Sequence, residues 1–83
     1  MYALGAILYE CLAGRPPFKA ESPFETLLQA KTQEVVPPRQ LQRKLPRDLE
    51  TITLTCLHKD PRRRYPSAQA LADDLRRFLD RRP

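Results

Sequence analysis

The residues best suited to chemistry crowd into "HKDPRRRYPS", residues 58–67, where His58 and Asp60 precede three consecutive arginines. A guanidinium is always charged and offers paired N–H donors, so such a run could grip a phosphate backbone or a carboxylate. A nucleic-acid reader would need its bases gathered on one exposed helical face. The segment that follows sets Asp73 and Asp74 beside Gln69, Arg76 and Arg77, which argues against that reading. Residues 31–83 carry thirteen basic groups and seven acidic ones, interleaved as on an ordinary solvated face. Nucleic acid is therefore not an expected partner, and a small basic helix-turn-helix binder stands as the lesser alternative.

Other reactive side chains have plainer explanations. Ser22 and Ser67 each precede an apolar-periodic run and serve better as helix caps than as nucleophiles. Asp73 and Asp74 are neighbours in sequence, a poor arrangement for an acid and base flanking a substrate. The sequence holds no glycine-rich phosphate loop, no His-Glu-x-x-His and no Gly-x-Ser-x-Gly. Cys11 and Cys56 stand far apart among apolar neighbours, outside any metal-type cluster. They read as reduced thiols packed like small hydrophobes, which fits a cytoplasmic setting. His58 reads as an exposed helix-end residue. No catalytic or metal-binding residue is assigned.

What elements would position these groups? The 83 residues suffice for one small domain, with a net charge of +5. At this size only about 60% of the unfolded surface is buried, so stability is marginal without staples. "MYALGAILYECLA" repeats Leu4, Ile7, Leu8, Cys11 and Leu12 at helical spacing, and apolar residues fill most other positions. A helix apolar nearly all round wants burial on every side. Gly14 stops it, and Pro16 and Pro17 prevent continuation. The pattern starts at Met1 with no capping residue, as though the chain were cut inside a helix. It is too short to span a membrane, and Glu10 and the missing cationic flank argue against a signal peptide.

Three amphipathic helices follow. "SPFE" is a capping box with Ser22 at the cap and Pro23 at the first helical position, opening a helix over 23–32 with Phe24, Leu27 and Leu28 on one stripe. Residues 34–46, with three prolines, read as an extended surface connection, or as a Pro-x-x-Pro ligand. From Arg47 to Leu57, residues Leu49, Ile52, Thr53, Cys56 and Leu57 share a face. After Ser67, residues Ala68, Leu71, Ala72, Leu75, Phe78 and Leu79 form a stripe, with Asp73 and Arg77 spaced to pair. The expectation is an all-α unit over 1–80 with about four helices, and a linker or tail starting at 81–83.

Two stretches resemble protein kinases. "YALGAILYECLAGRPPF" is similar to the family's Asp-x-Trp/Tyr-Ser/Ala-Leu-Gly, hydrophobic run and Gly-x-x-Pro-Phe. Tyr2, Ala3, Leu4, Gly5, Gly14, Pro17 and Phe18 match it. "HKDPRRRYPSAQAL" is similar to the family's Asp-Pro-x-x-Arg followed by a Ser-initiated helix, matched by Asp60, Pro61 and Arg64. The wording most resembles bacterial serine/threonine kinases.

The resemblance implies the C-terminal part of the helical C-lobe, with segment one as its central buried helix. It implies that Ile7 and Cys11 support the hydrophobic column beneath the adenine ring, although simple core packing explains them as well. It implies for Glu10 either contact with a substrate arginine or a structural hydrogen bond or partial exposure. It selects Arg64 as the partner of the glutamate that ends the activation segment, leaving Arg62 and Arg63 solvated. The parent would use ATP and magnesium to phosphorylate serine and threonine in protein substrates, some docking on the helix of residues 23–32. This chain would bind neither cofactor and catalyse nothing alone; a non-catalytic helical interaction module derived from a kinase lobe is the alternative. The parent could be membrane-tethered by a segment outside this chain, which itself would make no membrane contact.

Overall fold

The computed structural model describes residues 2–81. Among them every regular element is helical: α1 (Tyr2–Ala13), α2 (Pro23–Thr32), α3 (Pro38–Leu41), α4 (Arg47–Cys56), a 3-10 turn (Pro61–Arg63) and α5 (Ala68–Arg81). Arg81, expected at the start of a linker or tail, is the last residue of α5. The expectations for Met1, Arg82 and Pro83 lie outside the described residues.

Local chemistry sets most of these boundaries. Gly14 adopts φ 84°, the left-handed conformation that closes α1, and its N–H donates to Glu10 O at 2.9 Å. Ser22 Oγ accepts from Glu25 N at 3.1 Å, and Pro23 opens α2 where its missing N–H costs nothing. Ser67 Oγ accepts from Ala70 N at 3.1 Å and starts α5.

Packing centres on α4. It contacts α1, α3 and α5, and two clusters of buried side chains meet on it. Leu57, just past its end, joins Tyr9 and Ala13 of α1; Ile52 and Cys56 join Leu71 of α5. Thr53 is wholly buried there, its hydroxyl satisfied by donating to Leu49 O at 2.8 Å. Burying each apolar side chain of this kind contributes about 1.5–3 kcal/mol.

The face that α1 buries is not the one its aliphatic residues mark. Gly5, Tyr9 and Ala13, four apart, lie against the rest of the chain. Leu4 is 44% exposed and Ile7 60% exposed. The reason is steric. A Cβ on Gly5 would sit 2.5 Å from Cys56 Cβ and 3.2 Å from Leu57 Cδ2, so only glycine lets α4 come this close. Cys11 is exposed too, so only Cys56 of the two thiols is packed as a small hydrophobe.

The proline-rich connection also departs from expectation. Pro38 opens a helical turn and is fully buried, while Arg39 N donates to Glu50 Oε2 of α4 at 3.0 Å. A proline's fixed φ suits a first helical turn, and a carboxylate suits the helix start. The Tyr9 hydroxyl donates to Val36 O at 2.6 Å and staples this strap to α1. On α5, Arg77 pairs with Asp74 at 2.9 Å rather than with Asp73, which accepts from Gln69 instead. Asp74 is already oriented by the Tyr65 hydroxyl, which donates to its Oδ2 at 2.5 Å.

Candidate functional site

The three arginines separate in space because they do not share a helix. Asp60 caps the 3-10 turn, its Oδ1 accepting from Arg62 N at 3.0 Å, and Pro61 fixes the first turn position. Arg62 folds back on Asp60, with Nε 3.3 Å from Oδ1, and is therefore ion-paired rather than merely solvated. That side chain, helped by the Arg62 amide, holds the Asp60 carboxyl below its ordinary pKa. Arg64 lies past the turn in extended backbone and points elsewhere.

Arg64 Nε donates to His58 O at 2.6 Å, and Nη2 reaches Lys59 O at 3.5 Å. Its guanidinium carbon stands 5.1 Å from the centroid of the Tyr2 ring, within cation–π range. Burial raises the Tyr2 pKa, and the Arg64 charge pulls the other way. The two ion pairs seen among the described residues are Arg62–Asp60 and Arg77–Asp74, and Arg64 belongs to neither.

Along α1 the side chains of Leu4, Ile7 and Cys11 form an exposed row, with Glu10 exposed next to it. Exposure removes the cost that burying the Glu10 charge would carry. α2 buries no residue: Phe24 is 74% exposed, and Leu27 and Leu28 are more than half exposed. Between α2 and α1 runs an open, largely apolar groove of about 500 Å³, lined by Tyr2, Ala6, Pro17, Phe18, Pro23 and Leu27 among others.

Among the described residues no three or more His, Cys, Asp or Glu come together as a metal site. Of the glycines, Gly5 serves helix packing and Gly14 ends a helix. No described helix is long and apolar enough to cross a membrane.

No family model matches the sequence. Individual relatives do. The serine/threonine-protein kinase PknB of Mycobacterium tuberculosis is 36% identical over 83 residues, the whole of this chain and 13% of that protein. The tyrosine-protein kinase MasK of Myxococcus xanthus is 42% identical over 79 residues, 95% of this chain and 12% of MasK. A probable serine/threonine-protein kinase of Corynebacterium efficiens is 38% identical over 79 residues, 90% of this chain and 12% of the relative. The chain belongs to the protein kinase family. It spans about an eighth of the length of these relatives.

In this kinase segment the two matched stretches meet. Tyr2 opens the first and Arg64 closes the core of the second, and their side chains stack. The other named residues do not gather: Ile7, Glu10 and Cys11 sit on the bare side of α1, away from Arg64's carbonyl partners. Tyr9 was not singled out by the sequence, although it is the largest fully buried side chain. Lys59, a cation just past the end of α4, sends its Nζ back to α2. An Asp followed by Pro is a cap signature that could have placed Asp60 at the head of its turn. Nothing local marks the bonds that Tyr9 and Lys59 make, because their partners lie 27 and 29 residues away.

Proposed function

We propose that this chain is part of the helical lobe of a serine/threonine kinase whose complete form transfers the γ-phosphoryl of ATP to protein hydroxyls. The full-chain similarity to PknB carries the reading. ATP and magnesium would be held by residues outside this chain, so the 83 residues alone transfer nothing. Their role is scaffold and surface. The Leu4, Ile7 and Cys11 row would be covered by the remainder of the kinase, with Ile7 and Cys11 supporting the adenine-side column. Arg64, fixed by backbone carbonyls and an aromatic face, would offer its remaining N–H groups to a carboxylate of that remainder, a bidentate match. Glu10, exposed beside the row, would meet a basic substrate side chain. α2, bare on its apolar stripe, would dock protein partners. The reading places these residues in the cytoplasm.

The test is phosphoryl transfer by the complete polypeptide, given radiolabelled ATP, magnesium and a general protein substrate. Phosphoserine and phosphothreonine are the expected products, with none from the 83 residues by themselves. Phosphotyrosine as the sole product would remove the serine/threonine assignment, and transfer by the isolated chain would remove the scaffold role.

A further inference from the structure

α2 is held in place with very little packing. It buries no residue. Open clefts flank it, one of about 500 Å³ beside Tyr2 and Phe18 and one of about 300 Å³ beside Pro61 and Arg64. At its N-terminus the side-chain hydrogen bonds are local, from Ala20 N to Thr26 Oγ1 at 3.1 Å and from Thr26 Oγ1 to Ser22 O at 3.0 Å. They shape the helix start and fasten it to nothing distant.

The distant attachment is at the other end. Lys59, on the turn after α4, sends Nζ to Ala30 O at 3.0 Å and to Gln33 O. Carbonyls at a helix end have no partner within the helix, and the helix dipole favours a cation there. The same ammonium stands 5.5 Å from the Phe18 ring centroid, on the loop leading into α2. One side chain thus joins the end of α2, the loop before it and the turn after α4.

We propose that Lys59 is a latch: its ammonium fixes the position of α2, and removing that charge frees the helix while leaving the packed body of α1, α4 and α5 intact. Lys59 is a positioning residue for the proposed docking helix. The inference rests on that reading only in taking α2 as the surface a partner meets.

Hydrogen exchange by mass spectrometry on the full-length protein tests it, comparing wild type with Lys59→Met and Lys59→Arg. Methionine keeps the apolar stem and loses the charge; arginine keeps the charge and donors. In Lys59→Met, α2 amides are expected to exchange roughly two- to fivefold faster with α4 amides unchanged, and Lys59→Arg to restore wild-type rates. Unchanged α2 rates in Lys59→Met would overturn the latch. So would α2 and α4 accelerating together, or Lys59→Arg exchanging as fast as Lys59→Met. No partner or substrate is present in the measurement, so a latch that fails is distinguishable from a docking surface that fails.

Discussion

Arg64 and Arg62 differ by two positions and by everything around them. Arg64 is braced by two carbonyls and the Tyr2 ring, while Arg62 lies 90% exposed against its own cap. In the complete kinase, where the proposed function gives Arg64 a carboxylate partner, Arg64→Ala should cost about 3–5 kcal/mol, whereas Arg62→Ala should leave the melting temperature nearly unchanged. Equal melting temperatures for the two variants would count against the assignment. Gly5→Ala is a second residue-scale case. Alanine favours a helix over glycine by about 1 kcal/mol, but the contact at 2.5 Å from Cys56 Cβ forces α1 and α4 apart. Overpacking of this kind costs about 1–3 kcal/mol, so the variant should melt below wild type. Asp74 supplies a pH signature. The Tyr65 hydroxyl first, then Arg77, holds its carboxyl below the ordinary 3.8. A carboxyl depressed on folding stabilises above its unfolded pKa and loses that contribution as pH falls through the lower folded value. Tyr65 is shifted the other way, upward from 10.0, by burial and then by that same hydrogen bond. Its contribution holds below pH 10 and fades only as strong alkali titrates the phenol. Tyr65→Phe should therefore lower stability evenly across neutral pH and weaken the acid-side decline, as denaturant midpoints at a series of pH values would reveal.

Elements were legible where their signals were local. Ser22 with Pro23, Ser67, and Gly14 ahead of two prolines each announced a boundary, and the caps form as their chemistry demands. α3 was illegible because its stability comes from elsewhere: Glu50 supplies an acceptor from α4, and Tyr9 pins the strap from α1. Which face of α1 this chain buries was not legible for a related reason, since the sequence marks the helix as apolar nearly all round. Leu4, Ile7 and Cys11 carry the hydrophobic signal, yet a glycine, a tyrosine and an alanine make the contacts, because close approach depends on a missing side chain. Of the candidate site, Arg64 could be found from its motif but its carbonyl partners could not. The bare row on α1 yields a thiol prediction. In the separate 83-residue chain Cys11 should react rapidly with iodoacetamide while Cys56 resists. In the complete kinase both should resist, and a Cys11 that stays reactive there would show the row is never covered.

The molecule as a whole is a slab of 42 × 28 × 15 Å. A helix with its side chains is about 10–12 Å across, so a body this thin cannot wrap one on all sides. α1 is accordingly clothed on one flank and bare on the other, and the exposed apolar stripe of α2 adds to the uncovered surface. Contiguous apolar patches drive association. The 83 residues by themselves should sediment as aggregates, and a monomer with a cooperative thermal transition would be the contrary result. The Tyr9–Val36 hydrogen bond also decides where this polypeptide can grow. Arg43 and Lys44 sit exposed on a turn, so extra residues spliced between them should loop into water and open only the local bond from Leu45 N to Gln42 O. The same insertion between Val36 and Pro37 would drag Pro38 from its seat and break the phenol's grip. Insertions should therefore be tolerated on the far side of α3 and barred on the near side.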